Sequence, residues 1–459
     1  MGTTGRALLV MSALLALAGC ASYASLPLGD GRGAASAAGL SVPAASLPLP
    51  ALATHRFDPS DGLDVTEVAM LAVANNPDLK VKRDELGIAR AQAFSAGLLP
   101  DPQLSLSSDF PSASGQGLTK AFNLGISEDL STLLTRSSRL AAATSQADQV
   151  NLDLLWAEWQ TVAQARLLFG QVLTQRAQQA RLDVEQRALE PLGHTVREAL
   201  RAGNLTYDSA SAGLNAESDV QRRLTDNAIA LHLAESDLRV LLGLAPSAPL
   251  DLVGEPYQAA PTPAQVEQAL ANLPQRRPDL LALQAGYHAQ EEKLREAILA
   301  QFPALTVGFT RARDTSSIYT SGFTIGLTLP LFNRNRGAIA TETATRQRLK
   351  DDYDARLLTA RSDLPRLLAD LAALDRERAA LDAHAHELDE ARSSAERTWQ
   401  AGLLDWPTYL AIRSAALAAD LDLISVRQEQ AKQATALEAL LGNTDFDTAH
   451  PASAQASKP

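Results

Sequence analysis

From residue 61 onward the apolar positions switch between two periods, and they do so twice in the same order. A helical period over 64–75 leads into Asn75-Asn76-Pro77-Asp78-Leu79, and one over 263–274 leads into Arg276-Arg277-Pro278-Asp279-Leu280. Asp78 and Asp279 suit the first turn of a following helix, where a carboxylate meets the positive end of the helix dipole. That helix is expected to run to about 98 in the first unit and about 300 in the second. The period then drops to two. Leu104, Leu106 and Phe110 alternate with Ser105 and Ser107, and Phe122, Leu124 and Ile126 alternate with Asn123, Gly125 and Ser127. In the second unit Leu305, Val307 and Phe309, then Phe323, Ile325, Leu327 and Leu329, alternate with smaller or polar residues. The alternation predicts strands over about 102–110, 120–129, 303–311 and 321–330, each of bilayer-spanning length with one apolar face. Pro111–Leu118 and Ala312–Ser321 read as surface loops. Four strands cannot close a barrel, and open edges in lipid leave backbone groups unpaired, so other subunits must complete it.

Long helical stretches follow, 136–201 and 336–401, returning as 207–243 and 406–442. At 1.5 Å per residue a stretch of that length reaches about 100 Å, which suits a coiled coil rather than a globular helix. Leu417, Leu421 and Ile424 have seam spacing, and Trp156, Trp159 and Phe169 supply larger knobs. Pro191 and Pro365 interrupt at non-equivalent places, which predicts a kink or helix switch at each. The two units match at offsets of 201 (Asn76-Pro77 with Arg277-Pro278), 203 (Leu99-Pro100 with Phe302-Pro303) and 201 (Phe122–Ile126 with Phe323–Leu327). Ala202-Gly203 matches Ala401-Gly402, and Leu241-Leu242-Gly243 matches Leu440-Leu441-Gly442, both at 199. A period this long means duplication of a whole structural unit. The expected units are residues 61–250 and 263–443, with a tail over 444–459.

Residues 1–19 read as a secretory signal: Arg6 supplies the charge, and Ala7–Ala18 is apolar apart from Ser12 and too short to span. The stretch closes in Leu17-Ala18-Gly19-Cys20, which is similar to a bacterial lipobox, so Cys20 is the expected lipid attachment point; an ordinary signal with an accidental cysteine is the alternative. Ala21 rather than aspartate after the cysteine points to the outer membrane. Residues 20–60, rich in Ala, Ser, Pro, Leu and Gly, read as an extended, lipid-anchored linker. Gly29-Asp30-Gly31-Arg32-Gly33 lacks the strand and helix a phosphate loop needs.

Composition removes several classes. The chain has 459 residues and is 46 % hydrophobic, which is enough for a core and excludes wholesale disorder. A formal charge of −12 argues against nucleic acid as a partner, and loss of Arg6 with the leader makes the mature chain more negative still. One cysteine excludes a disulfide framework. Walker, Gly-x-Ser-x-Gly and His-Glu-x-x-His motifs are absent from the sequence, so no enzymatic constellation is expected and energy must come from a partner. His384-Ala385-His386 is the only close histidine pair; on a helix the two point about 200° apart, so no metal ligand is assigned and no cofactor is expected beyond lipid on Cys20.

The lipobox, the duplicated unit, the paired strands and the long helices together resemble the TolC family of outer-membrane efflux proteins over residues 61–443. Asn76-Pro77-Asp78-Leu79, Gly97-Leu98-Leu99-Pro100-Asp101-Pro102 and Leu329-Pro330-Leu331-Phe332-Asn333-Arg334-Asn335-Arg336-Gly337 look closer to its metal-efflux, CzcC-like branch. The resemblance implies a mainly helical homotrimer whose twelve strands form one membrane β-barrel above a periplasmic helical tunnel. It implies as partners a periplasmic adaptor, an inner-membrane RND-type pump and outer-membrane lipids. The implied function is a passive exit duct, for heavy-metal cations on the closer branch or else for drugs or small organic molecules. A structural coiled-coil lipoprotein is the rival class, against which the paired strands argue.

The resemblance also assigns the adaptor-docking tips to Arg201, Ala202, Gly203 and Asn204 and to Ala401, Gly402 and Leu403. Gly203 and Gly402 equally fit helix-ending glycines, and the two readings are compatible. Relatives commonly carry an aspartate six residues after a tip glycine; here those positions hold Ser209 and Thr408, with Asp208 and Asp405 nearby as candidate gate residues. Asp405 before Trp406-Pro407 also fits a helix N-cap. Trp399 and Trp406 flank the second tip and read as interhelical packing or as partner contacts. Leu106, Phe122, Ile126, Val307, Phe323, Ile325 and Leu327 occupy the apolar phases of the strands and are expected to face lipid.

Overall fold

The computed structural model describes residues 23–112 apart from 41, 44–46 and 48, then 118–255 and 263–441. The signal over 1–19, Cys20, the tail over 444–459 and part of the 111–118 loop lie outside the described residues. The α-helices are α1 (Pro50–Ala53), α2 (Val65–Asn75), α3 (Pro77–Gly97), α4 (Ser131–Arg201), α5 (Tyr207–Leu241), α6 (Pro263–Ala271), α7 (Leu273–Arg276), α8 (Pro278–Leu299), α9 (Arg336–Gln400) and α10 (Trp406–Leu441). Strands β1 (Gln103–Asp109) and β2 (Ala121–Asp129) follow α3, and β3 (Ala304–Arg313) and β4 (Tyr319–Thr328) follow α8.

Local chemistry sets the boundaries. Asp64 accepts from the N–H groups of Thr66 (2.7 Å) and Glu67 (2.8 Å), while the Glu67 carboxylate accepts from Asp64 N–H, a capping box that starts α2. Asn76 caps α3 by accepting from Asp78 N–H (2.8 Å) and Leu79 N–H (3.0 Å), with Pro77 at the first helical position. The single helix expected over 263–274 is two: Pro274 has no N–H to extend the first ladder, Asn272 turns out of helical geometry, and a new short helix starts at Leu273 with Pro274 in its first turn. The expected breaks at Pro191 and Pro365 do not occur as helix switches: α4 and α9 are helical throughout. Each proline deletes one bond from a ladder of more than sixty residues, and buried Leu189, Leu364 and Leu367 beside them hold the helix against its neighbours.

The strands form one antiparallel sheet in the order β1-β2-β3-β4, so the β2–β3 pairing joins the two repeats. β4 begins at Tyr319 rather than 321, since Asp314 Oδ1 accepts from Ser316 N–H and Ile318 N–H and Ser317 adopts φ 70, tightening the expected loop into a short turn. β1 and β4 are the open edges.

Beneath the sheet, α4 packs against α2, α3, α5, α8 and α10, and α9 packs chiefly against α8 and α10. The largest core surrounds Phe169, Trp159, Val172, Leu238, Leu242 and the α2 residues Val68–Val73. The segment read as an extended linker is not free over its described part. Val42, Leu47, Leu49 and Leu52 are buried in this same core, and Ala34 forms a parallel bridge with Leu244. Its scattered leucines are spaced irregularly, with no period to betray them, yet each fills a gap between α2, α4 and α5.

Candidate functional site: a two-faced sheet and two helical tips

In an antiparallel ladder directly paired residues share a face. Leu104 pairs with Ile126 and Leu106 with Leu124; Ile126 pairs with Phe309 and Glu128 with Val307; Phe309, Val307 and Leu305 pair with Phe323, Ile325 and Leu327. One face therefore carries Leu106, Phe122, Ile126, Val307, Phe323, Ile325 and Leu327 together, the seven residues expected to face lipid. Near the turn end this face becomes aromatic and basic: Arg313 lies over the rings of Phe122 (5.7 Å) and Tyr319 (5.9 Å). The opposite face carries Ser105, Ser107, Asn123, Ser127, Thr306, Thr310, Thr324 and several glycines, and no strand residue on it is basic. It is crowded: a Cβ on Gly125 would sit 2.7 Å from Ser105 Oγ.

At the far end of the helices the chain turns twice. Gly203 has φ +74 and Gly402 φ +72, and both tips close the same way. Gly203 N–H donates to Leu200 O (3.1 Å) and Asn204 N–H to Ala199 O (2.9 Å); Gly402 N–H donates to Trp399 O (2.9 Å) and Leu403 N–H to Thr398 O (3.0 Å). These are paired Schellman closures that need a left-handed residue. Nothing lies within 4 Å of a Cβ placed on either glycine, so both tips are open. Arg201, Ala202, Asn204, Ala401 and Leu403 are exposed around them. Asp405 is the N-cap: its carboxylate accepts from Thr408 N–H (2.9 Å) and Thr408 Oγ1 (2.9 Å), and the first of these bonds, then the second, hold it below its ordinary pKa. Asp208 is exposed in the first turn of α5, which Thr206 caps.

Trp399 and Trp406 pack between helices. Their rings are 5.6 Å apart, Trp399 stacks on Tyr409 at 5.3 Å, and Trp406 fills a notch in α5 where a Cβ on Gly213 would lie 2.6 Å from its ring. Behind them is a group that sequence reasoning missed. Arg413 donates two hydrogen bonds to Glu185 of α4 (3.0 and 2.8 Å) and others to Tyr409 OH (2.9 Å) and Glu396 (3.2 Å). Burial pulls the Arg413 guanidinium down, but the hydrogen bonds and charge of Glu185 outweigh it and hold Arg413 above its ordinary pKa. Tyr409 also contacts Glu396 through its hydroxyl. The signal was present: Arg413 falls on the apolar stripe Leu410, Leu417, Leu421, where a charge needs a partner. Farther up the same α4–α10 seam, Arg181 pairs with Asp420 and Arg166 with Glu438 (2.6 Å).

Among the described residues no three His, Cys, Asp or Glu side chains converge as a metal site, and no helix is long and apolar enough to cross a membrane. Residues 269–443 match the family model described as outer membrane efflux protein. By sequence the chain is 30 % identical over 169 residues (33 % of its length) to the pyoverdine export outer membrane protein OpmQ of Pseudomonas putida. It is 28 % identical over 200 residues (41 %) to outer membrane protein OprJ of Pseudomonas aeruginosa. The matched stretches span 36 % and 40 % of those two relatives. The fold is that of the CusC channel structure, at a TM-score of 0.69 and 19 % identity over 86 % of this chain and 97 % of that one. By sequence, part of the chain is therefore similar to outer membrane efflux proteins, and its fold is that of a solved channel of this kind.

Proposed function

We propose that this chain is the outer-membrane exit duct of a tripartite efflux system, passive itself and driven by an inner-membrane RND-type pump through a periplasmic adaptor. The observation that carries the reading is the sheet: apolar on one face between Glu128 at the helical end and Arg311 and Arg313 at the turn end, polar on the other, and open at both edges. Two copies would supply eight strands, whose interior side chains fill; three supply twelve, enough to leave a lumen. In such a homotrimer the apolar face meets lipid and the Ser/Thr/Gly face lines the passage. Cys20 carries the lipid that tethers the N-terminus.

The tips are the adaptor-docking surface. Six small, open turns per trimer let a partner approach the backbone closely, and Asp208 and Asp405 beside them would place rings of acid at the narrow mouth. For cargo, the stretches Gly97–Pro102 and Leu329–Gly337 and the absence of basic residues on the polar sheet face favour heavy-metal cations. The match to a pyoverdine exporter supports a second reading, a small organic cargo. Gly203→Ile and Gly402→Ile test the docking: each strains a positive-φ residue by about 1–2 kcal/mol, modest for a trimer. Trimer yield and conductance should stay near normal while efflux and adaptor cross-linking are lost. Efflux surviving both changes would sink the assignment.

A further inference from the structure

Each open edge of the sheet ends in an exposed apolar cluster where strands meet helices. On the β4 side, the link to α9 projects Leu331 (66 % exposed) and Phe332 (90 %). This link is held in shape. Leu331 N–H donates to Leu329 O (2.9 Å), Arg336 Nη2 to Phe332 O (3.2 Å) and Asn335 Nδ2 to Ala297 O (2.8 Å). Arg334 and Asn335 both take positive φ, 45 and 52, a conformation that side chains resist. The first repeat has no counterpart, since β2 ends at Asp129 and α4 starts at Ser131. On the β1 side, Leu98 and Leu99 are exposed between α3 and β1, followed by exposed Asp101.

We propose that the Leu331-Phe332 wedge of one protomer seats on the Leu98-Leu99 shelf of a second copy of this chain, with Arg334 facing Asp101. The proposal rests on the closed-ring reading above and adds the contact that fixes how copies join. β1 leaves the helical end of the sheet and β4 returns to it. Pairing β4 of one copy with β1 of the next therefore brings wedge and shelf to the same end of the same seam. The contact is heterologous, wedge to shelf, and such contacts generate rings when the rotation closes. The charges are complementary, Arg334 on the wedge and Asp101 on the shelf, which favours a protein partner over hydrocarbon. A wedge already fixed by its hydrogen bonds loses little freedom on seating.

The test is a cysteine pair in full-length protein in membranes. With Cys20 left in place, Leu99→Cys with Phe332→Cys should oxidise to covalent trimers on non-reducing electrophoresis, and either substitution alone should not. Ile318→Cys with Phe332→Cys, at opposite ends of β4, should not. Arg334→Asp should lower the melting temperature of the trimer, and adding Asp101→Arg should restore it. Native trimers without the Leu99–Phe332 cross-link, or with additive charge reversals, overturn the proposal. So does equal quenching by brominated lipid of fluorophores at Phe332→Cys and Phe323→Cys, which assigns the wedge to the membrane. Absence of any trimer overturns the ring reading itself, and the wedge contact with it.

Discussion

α4 of the first repeat spans 71 residues and α9 of the second spans 65, yet nineteen residues of α4 are buried and only six of α9. The duplication kept the length, the strands and the glycine tips, and it let the interiors diverge. α4 became the central post, clasped by five helices and the N-terminal strap, whereas the first 24 residues of α9 bury nothing. A polar helix of that length persists through local support. Arg348 reaches Asp352 one turn on (3.1 Å), and Gln290 Nε2 of α8 donates to Glu342 O (3.0 Å). The comparison teaches that a repeat conserves its backbone plan through turns and periods, while burial is assigned by what each copy happens to touch.

The largest expected contrast is between the two long helices themselves. Phe169→Ala, in the core around α4, should cost about 3–5 kcal/mol in denaturant unfolding, and Leu358→Ala, exposed on α9, less than about 0.5 kcal/mol. A cost of several kcal/mol at Leu358 would mean that α9 is covered in the assembly. Next come the ion pairs. Arg413→Met strands a buried carboxylate on Glu185 and should cost about 3 kcal/mol, most of it recovered by adding Glu185→Leu. Arg348→Ala on the bare part of α9 should cost about 0.5 kcal/mol or less.

The two faces of the sheet give the third contrast. Ile325→Arg should destabilise the membrane-inserted form by about 2–4 kcal/mol, and Thr324→Arg should cost little, read as trimer retention in lipid. Equal tolerance would mean that these strands do not meet hydrocarbon. The smallest effect belongs to the tips. The Asp405 carboxylate is held low, so its cap is fully present above the unfolded carboxylate pKa and is lost as the pH falls through the lower folded value. Hydrogen exchange at Thr408 and Tyr409 should therefore speed up only below about pH 4, and the first tip, capped by Thr206, should not respond. An equal response at both tips would remove the cap from the explanation.

Most of the fold was legible because its elements are long and strictly periodic. The alternation in Phe323, Ile325 and Leu327 identified a strand and its apolar face, and the repeat fixed the element order. The Gly203 and Gly402 tips could be read because few residues other than glycine end a helix in that way. What stayed hidden depends on neighbours distant in sequence. The position of Arg413 on an apolar stripe signals that it needs a partner, but nothing in the sequence says that the partner is Glu185 until α4 meets α10. Gly213 is one small residue among many until Trp406 arrives. The helices continue through Pro191 and Pro365 because tertiary packing absorbs a local penalty that the sequence alone reports as a break.

The rail of charges between α4 and α10 limits how the two helices can slide past each other. Along α4 the sign runs Arg166, Arg181, Glu185, and along the antiparallel α10 it runs Glu438, Asp420, Arg413. The polarity reverses within one turn, between Arg181 and Glu185. If α10 slid along α4 by a turn toward the tips, the Asp420 carboxylate would come to face Glu185, and like charges would meet where good pairs had been. The seam therefore behaves as a keyed joint, free to bow or swivel and barred from telescoping. If the tips line the mouth of a duct as proposed, a dilation that keeps this joint in register has the hairpins leaning away from one another about a fixed spine.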